Sequence, residues 1–431
     1  MMTGTARSEP PERQDVTLKK VAYLYAEGEA QKRIAGMLSL SPSMVSRLVD
    51  QARQSGLLEE TVTCKLAAEE QMRLRGELYG SDSLLKKLKD VAYADGVASL
   101  TQLQIIPTGL EIKGDPSWDQ AVVMFGRKAA AYCLDLIRQS EVFGVTYGRT
   151  LAALANGLAE LSATPAKTRA PVVCVPLWGE PLSPWEKPKS SVFRDPAKLS
   201  SSGLAAAMHR ILNEGTPQGS ERTPTRQPLC LDFVPAFRPE HYPEEKFNAV
   251  LEFACSVSSY GDIFPVPDDW LDGAVTGAGR ARSGRQSKGQ VTIQEGKRPL
   301  IDHLDGILTS VGSKDQPGRF WSGEFFRQGD IDLSKLRRGA FGDLGGGFIV
   351  NPTANKADRE YVMAVNERWT GVKETHFRRC AVRARENSLP GVTVLAVGAV
   401  RAEIVLQCIK RGLVNHLVLD SDCAEKLGSL L

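Results

Sequence analysis

Apolar residues near the front of the chain recur at helical spacing in three successive segments. The three stripes are Leu18, Val21, Ala22 and Tyr25; Ile34, Ala35 and Leu38; and Val45, Leu48, Val49 and Ala52. Residues three or four positions apart lie on one face of a helix. The pattern therefore predicts three helices packed around one small core, with a domain spanning residues 15–62.

The third of these helices has a defined start and a defined end in the sequence. Ser41 is a residue type whose side chain caps free backbone amides, and Pro42 suits the first helical position because no donor is needed there. Gly56 is the residue type that tolerates a left-handed helix end. We therefore expect a helix, a tight turn and a second helix between Ala30 and Gly56.

The face of the third helix opposite its apolar stripe is short, polar and basic. A helix with such a face can enter the major groove of DNA and present its amino-terminal side chains to the base edges. We predict the following DNA contacts, with Arg47 the strongest candidate: Gln31, Ser41, Pro42, Ser43, Met44, Ser46, Arg47 and Arg53. The alternative is an ordinary helical hairpin in which Arg47 is a solvated surface charge.

Charge agrees with a local rather than a bulk attraction to nucleic acid. Between Thr17 and Gly56 there are six basic and three acidic residues, whereas the whole chain of 431 residues has a formal net charge of only +3. This modest excess suits a protein that binds specific sites as a dimer better than one that coats nucleic acid.

The rest of the chain alternates helical stripes with short β-rich runs, from about Trp118 onward. Such alternation is typical of an α/β fold with a parallel sheet covered by helices. Strands are expected at VFGV, PVVCVPLW, PLCLDFVPAF, HLDGILTSVG, VTVLAVG and HLVLD. We place a disordered tail at residues 1–14, a linker helix region at 63–95, and an α/β effector-binding and oligomerisation domain at 96–431, with insertions near 182–202 and 277–290.

Two strand-to-helix turns in this region have the composition of an anion site. Thr146, Gly148, Arg149 and Thr150 follow the strand VFGV, and Gly398 and Arg401 follow the strand VTVLAVG. Backbone amides at a helix start and a nearby guanidinium together favour a phosphate. Each turn alone is also compatible with glycine and threonine serving only tight geometry and capping.

Further candidate ligand contacts are expected at the carboxyl ends of the strands, where ligands gather in such folds. These candidates are Trp178, Gly179, Asp305 and Asp343. The two carboxylates would accept hydrogen bonds from sugar hydroxyls. Aspartates that merely form turns are the alternative interpretation.

Composition excludes several other classes of protein. No apolar run approaches the roughly 18 residues of a membrane helix, and the polar amino terminus lacks the apolar centre of a signal peptide, so we expect a cytoplasmic protein with no membrane contact. The eight cysteines contain no CxxC pair and the five histidines are isolated. We therefore expect reduced cysteines, no metal site and no cofactor.

Taken in order, the blocks of this chain resemble the SorC family of bacterial transcription regulators, the DeoR-like sugar-binding regulators. The blocks that carry the resemblance are LKKVAYLYAEG, IAGMLSLSPSMVSRLVDQARQSG, FGVTYGRTLAALA, LDGILTSVGS, RGAFGDLGGGF and VLAVGAVRAEIVLQCIKRGLVNHLVLDSDCAEKL. The resemblance implies an all-α helix-turn-helix DNA-binding domain joined to a Rossmann-like effector domain of the phosphosugar-isomerase type. It also implies a homodimer or homotetramer on double-stranded operator DNA, controlled by a phosphorylated sugar.

By position, the family's phosphate turn falls on Thr146 to Thr150 and its second anion turn on Gly398 to Arg401. This sequence has Arg401 where the family typically has a lysine, and Leu177, Trp178 and Gly179 where it has an asparagine and two glycines. Arginine still binds phosphate, and more rigidly than lysine. Because the asparagine is missing and Trp178 is bulky, the family's usual sugar is not carried over to this chain.

The sequence thus predicts a non-enzymatic transcription regulator whose operator binding responds to a small anionic, sugar-like effector. One alternative is an enzyme that converts phosphosugars, with the front helices as an accessory module. Against it, no histidine or lysine lies beside the two anion turns as an obvious base. Another alternative is that the front helices contact RNA polymerase in the manner of a sigma factor.

Overall fold

The computed structural model describes residues 11–58, 81–94, 99–108, 115–161, 172–180, 199–213, 228–267, 299–315 and 331–431, together with positions 66, 70, 74, 78 and 270. Helices α1 (Pro11–Ala26), α2 (Gln31–Leu38) and α3 (Pro42–Gln54) form a small helical unit. Its core contains residues from all three predicted stripes, including Val21, Ile34 and Val45, each fully buried. The predicted three-helix packing is therefore confirmed.

Two details of the helical unit differ from the sequence prediction. Helix α1 begins at Pro11, so the disordered tail predicted for residues 1–14 is wrong for residues 11–14, while residues 1–10 lie outside the described part. Tyr23, which belongs to none of the predicted stripes, is fully buried against Leu66 and Leu74. The first half of the predicted linker therefore supplies side chains that pack on the helical unit.

The larger unit is built on a parallel sheet. Its strands are β1 (Gln102–Ile106), β2 (Val142–Val145), β3 (Val173–Pro176), β4 (Gly306–Ser313), β5 (Ala340–Leu344), β6 (Gly347–Val350), β7 (Gly391–Ala396) and β8 (His416–Asp420). The parallel strands lie in the order β1-β8-β7-β4-β2-β3, and the antiparallel hairpin β5–β6 pairs with the last residues of β4. The predicted α/β class is confirmed.

The sheet topology defines where a ligand crevice is expected. From β2 the chain continues to β3 on one side of it and then returns to β4 on the other side, where Val145 pairs with Leu308. In open α/β sheets, ligands bind outside the carboxyl ends of the strands at such a reversal. A ligand site is therefore expected at the carboxyl ends of β2, β4 and β7.

Helices cover both faces of this sheet. They are α4 (Ser81–Ala94), α5 (Asp115–Ile137), α6 (Arg149–Leu161), α7 (Ser201–Asn213), α8 (Glu244–Val257), α9 (Tyr260–Ile263), α10 (Leu333–Gly339), α11 (Lys356–Glu367), α12 (Glu374–Asn387), α13 (Ala402–Lys410) and α14 (Ser421–Ser429). Strands β7 and β8 are buried along their whole length. Their mostly apolar sequences, GVTVLA and HLVLD, are typical of strands in a sheet that is covered on both faces.

The crossing of α5 and α6 depends on glycine. A Cβ atom added at Gly126 would lie 2.4 Å from the carbonyl carbon of Ala153. The absence of that atom allows the two backbones to approach closely. The close approach of the two helices at Gly126 sets the position of the first turns of α5 relative to Arg149, the first residue of α6.

One strand predicted for this unit is wrong, and two predicted segments differ from the structure in how they pack. The run PLCLDFVPAF forms no strand and makes only the isolated bridges Glu180–Pro235 and Phe237–Trp369. Helix α4, predicted as linker, places Leu88 and Ala92 in the main core of the sheet. The end of the insertion predicted near 182–202 is also part of the fold, because Ser201 Oγ donates to the carbonyl of Val145 and begins α7.

The remaining predicted insertion, near 277–290, lies outside the described residues. Within the described part of the chain, no helix is long and apolar enough to cross a membrane.

Candidate functional site

Helix α3 has the termini that the sequence predicts. Ser41 adopts an extended conformation and its side chain accepts a hydrogen bond from the amide of Met44 at 3.2 Å, with Pro42 in the first turn. Gly56, just after the helix, has a φ of +74°. Local sequence therefore sets both ends of this helix.

The polar face of α3 is open to solvent. Ser43, Ser46 and Arg47 are exposed and Met44 is half-buried. One terminal nitrogen of Arg47 lies 2.8 Å from the sulfur of Met44, and among the described residues no carboxylate lies within ion-pair distance of it. The guanidinium of Arg47 can therefore bind a base or a phosphate without breaking an ion pair.

The other DNA candidates have different surroundings. Ser41 and Pro42 are exposed at the helix start, whereas Gln31 is half-buried at the start of α2. Arg53 donates to the hydroxyl of Tyr25 at 3.1 Å, and this bond holds it against α1. Arg53 is therefore oriented by the helical unit itself.

At the carboxyl edge of the sheet, two arginines from distant turns meet on one aromatic ring. The guanidinium carbon of Arg149 lies 4.1 Å from the ring centroid of Trp118, and that of Arg401 lies 5.0 Å from the same centroid. Arg149 also pairs with Asp119, at 3.1 Å between Nη1 and Oδ1. We call Trp118, Asp119, Arg149 and Arg401 the Trp118 clamp.

The Trp118 clamp is positive and poorly hydrated at Arg401. That guanidinium is buried and donates to the carbonyls of Val311 and Val397, at 3.2 and 2.5 Å. Burial, together with the nearby Arg149, lowers the pKa of Arg401 to about 10. Two cations that share a desolvated corner are stabilised by an added anion.

Two buried polar groups at this corner have unused bonding capacity within the described part of the chain. The indole Nε1 of Trp118 has no hydrogen-bond partner there, and neither does Oδ2 of Asp420. Oδ1 of Asp420 accepts from the amides of Gly398 and Cys423, both at 2.9 Å. Burial raises the pKa of Asp420 to about 6. Buried donors and acceptors without partners are rare in native proteins, and a bound water, ion or ligand is one explanation for them.

The glycine turns have the expected conformation, but their amides are already used. Gly148 has a φ of +124° and Gly398 a φ of +96°. The amide of Gly148 donates to the carbonyl of Leu199 at 3.1 Å, and the amide of Gly398 donates to Asp420. An anion at this corner would therefore be bound by the guanidinium groups rather than by these two amides, with Arg401 offering the donors that Val311 and Val397 do not use.

The predicted threonine contacts lie below this surface. Thr146 is fully buried and its hydroxyl donates to that of Thr309 at 3.1 Å. Thr150 is also buried, in the first turn of α6. Gly345 of the hairpin β5–β6 packs on Thr146, where an added Cβ atom would lie 2.8 Å from the Thr146 methyl carbon, so a ligand does not reach Thr146 in this conformation.

That hairpin covers the end of β2 and holds the other predicted contacts. A Cβ atom on Gly346 would lie 2.4 Å from the indole nitrogen of Trp178, and Trp178 stacks on Tyr147 with ring centroids 4.2 Å apart. Asp343 is buried beside them and accepts a hydrogen bond from Tyr147, whose pKa is well above its ordinary value mainly because of burial. Gly179 packs against the carbonyl of Val234, where a Cβ atom would lie at 2.5 Å.

Asp305 does not belong to this edge, which corrects the sequence prediction. It precedes β4 and therefore lies at the amino edge of the sheet, where its carboxylate accepts from the amides of Glu141 and Val142 and pairs with Arg383. The error came from the strand boundary, because the run HLDGILTSVG begins its strand only at Gly306. Asp305 is a structural residue.

The helical unit contacts the α/β unit through two of the elements that build this edge. Arg33 on α2 lies 3.0 Å from Asp422 and 3.8 Å from Glu425, both on α14, which begins beside Asp420. Lys128 on α5 donates to the carbonyls of Glu27 and Pro107. Helix α5 also contains Trp118, so both contacts involve helices that lie at the carboxyl edge of the sheet.

Comparisons with known proteins give structural neighbours only. No family model matches the sequence, and no curated protein is similar to it. Among solved structures, the chain is similar to the full-length sorbitol operon regulator SorC from Klebsiella pneumoniae, at 15% identity and a TM-score of 0.48, covering 97% of this chain and 99% of that one.

Two further neighbours cover less of this chain. A DeoR family transcriptional regulator from Listeria monocytogenes has 15% identity and a TM-score of 0.46, with 81% of this chain and 99% of that chain covered. A domain of a possible sugar-binding transcriptional regulator from Arthrobacter aurescens TC1 has 17% identity and a TM-score of 0.43, with coverages of 80% and 97%. Among the solved structures that this chain is similar to are thus regulators described as SorC and as DeoR family.

Proposed function

We propose that this chain is a transcription regulator that binds operator DNA through α3 and senses a small anionic, sugar-like effector at the Trp118 clamp. The protein acts by binding and not by turnover. It works as a homodimer or homotetramer, because paired recognition helices are needed to read the two half-sites of an operator.

The observation that carries the effector half of this proposal is the meeting of Arg149 and Arg401 on one ring. They come from the two turns that follow β2 and β7, and the buried indole N–H of Trp118, on the ring that both contact, has no hydrogen-bond partner among the described residues. Arginine binds the oxygens of a phosphate with two parallel donors. A phosphorylated sugar is the effector class that fits two guanidinium groups beside the buried acceptor Asp420.

The DNA half is supported by the exposed face of α3. Its serines and Arg47 are solvent-exposed near the capped amino end, where a recognition helix contacts bases. A modest local charge excess is sufficient, because sequence is read by base contacts while phosphates set the register.

The contacts between the two units suggest how one site controls the other. Asp119 holds Arg149 at 3.1 Å, so an effector phosphate competes with this carboxylate for the guanidinium. Release of Asp119 would let the start of α5 shift, and Lys128 on the same helix holds the turn between α1 and α2. The effector thereby biases the position of α3 through a population shift.

Binding of a labelled duplex from the chain's own upstream promoter, followed by fluorescence anisotropy, tests the proposal. We expect specific binding that exceeds binding to random duplex by at least 10³-fold and that changes when a sugar phosphate is added. Arg47→Ala should remove the specificity while leaving sugar-phosphate binding unchanged. Sustained conversion of any sugar phosphate in a parallel assay would instead favour the enzyme.

A further inference from the structure

A second cavity lies on the α/β unit, away from the Trp118 clamp. It has a volume of ≈ 270 Å³, is open to solvent on one side, and is bordered by α8, α9 and the segment that connects α11 to α12. Its polar lining includes Arg238, Arg368, Lys373 and His376. None of the four clamp residues lines it. We call it the α8 cavity.

The cations of the α8 cavity are less exposed than the carboxylates that pair with them. Arg368 is only 8% exposed, whereas its partner Glu240, at 3.1 Å, is 64% exposed. Lys373 and Glu367, at 3.7 Å, show the same difference, as do Arg238 and Glu244 at 3.8 Å.

A carboxylate that lies mostly in water compensates a partly buried cation weakly. Burial accordingly lowers the pKa of Arg368, Lys373 and His376. The carbonyls of Asn366 and Glu367 also hold the ammonium of Lys373. An anion that enters the cavity can exchange with the exposed glutamates at little cost.

Four aromatic side chains also line the α8 cavity, beside Asn248, Thr370 and the carboxylates of Glu244 and Glu367. Phe247, Tyr260, Phe264 and Trp369 line it. Tyr260 is fixed because its hydroxyl donates to the carbonyl of Thr370, and Trp369 is fixed by stacking on Trp178 and Phe237. A flat apolar group packs against rigid aromatic side chains, and the charged residues beside them can orient its polar end.

We infer that the α8 cavity is a second binding site, for a small organic carboxylate that carries an aromatic or branched apolar group. The carboxylate lies against Arg238, Arg368 and Lys373, and the apolar group lies against the aromatic side chains. A cavity of ≈ 270 Å³ is large enough for a benzoate or a phenylacetate. This site does not depend on the proposed DNA binding.

Binding of benzoate to the full chain, measured by calorimetry and by saturation-transfer NMR, tests the inference. Asn248 lines the cavity from the exposed side of α8, and Ala249 beside it is exposed but does not line the cavity. Asn248→Trp therefore blocks the cavity, and Ala249→Trp is its matched control on the same helix.

We expect saturable binding of benzoate, at least tenfold weaker binding of the neutral benzamide, and at least a tenfold loss of affinity in Asn248→Trp but not in Ala249→Trp. Lys373→Met should weaken binding about fivefold. Equal binding by Asn248→Trp and the wild type would overturn the site. Equal affinity for benzoate and inorganic phosphate would overturn the ligand class, and melting temperatures of all variants confirm that each is folded.

Discussion

Replacing Arg149 by methionine removes the most exposed cation of the Trp118 clamp and keeps much of the side chain's volume. The change breaks the ion pair with Asp119 at 3.1 Å and the contact with Trp118 at 4.1 Å. Asp119 is only 7% exposed, so its carboxylate would remain buried without its partner. The variant therefore tests both stability and ligand binding.

The expected loss of stability follows from these contacts. A hydrogen bond to a charged group contributes about 1.5–3 kcal/mol, and a cation over an aromatic ring about 0.5–2 kcal/mol. Methionine retains part of the packing, so we expect the free energy of unfolding to fall by about 2–3 kcal/mol. Adding Asp119→Asn to this variant should restore about 1 kcal/mol or more, because the buried charge is then gone.

Thermal unfolding with increasing sugar phosphate measures the binding part. A ligand at 100 times its Kd stabilises the folded state by about 2.7 kcal/mol, and Arg149→Met should lose this stabilisation. Arg383→Met is the matched control, because it breaks a similar pair with Asp305 at the opposite edge of the sheet. Equal stabilisation of the two variants by sugar phosphate would refute the assignment of Arg149.

Three further predictions concern the other sites. Arg47→Ala should weaken specific operator binding by about 1–3 kcal/mol, and unchanged affinity for operator over random duplex would contradict the role of α3. Burial raises the pKa of Asp420 to about 6 from 3.8, so the folded state holds the proton more tightly and its stability falls as pH rises between these values. Asp420→Asn should remove this pH dependence, which amounts to about 3 kcal/mol of unfolding free energy in urea titrations. An unaltered pH dependence would contradict the prediction. A double-mutant cycle of Arg33→Met and Asp422→Asn should give a coupling of about 0.5–1 kcal/mol, because both side chains are partly solvated; additive effects on unfolding would mean that this contact does not hold the two units together.

Much of the fold was predictable because its signals are local. Ser41, Pro42 and Gly56 define α3 by side-chain chemistry that acts within one turn. The buried strands, such as β7 and β8, are recognisable in the sequence as mostly apolar runs. The predicted strand over PLCLDFVPAF failed because an apolar run also occurs in irregular segments that pack on a core.

The candidate site was predictable only in part. Arg149 and Arg401 could be identified from their turns, since a glycine before a helix start is a local pattern. Trp118 looked like an ordinary core position of a long helix, and Asp119 carried no signal at all. Their place beside the arginines depends on how α5 crosses α6 at Gly126, which is a tertiary contact.

The most direct test of the proposed division of labour is one titration. Purified full-length protein is added to a labelled duplex from its own promoter, in parallel with a random duplex, with and without a panel of sugar phosphates at fixed salt. We expect preference for the promoter duplex and a shift in its apparent Kd with at least one sugar phosphate. Arg47→Ala should lose the preference for the promoter duplex, whereas Arg149→Met should lose only the response to sugar phosphate. Equal affinity for the two duplexes under every condition would contradict the proposed function.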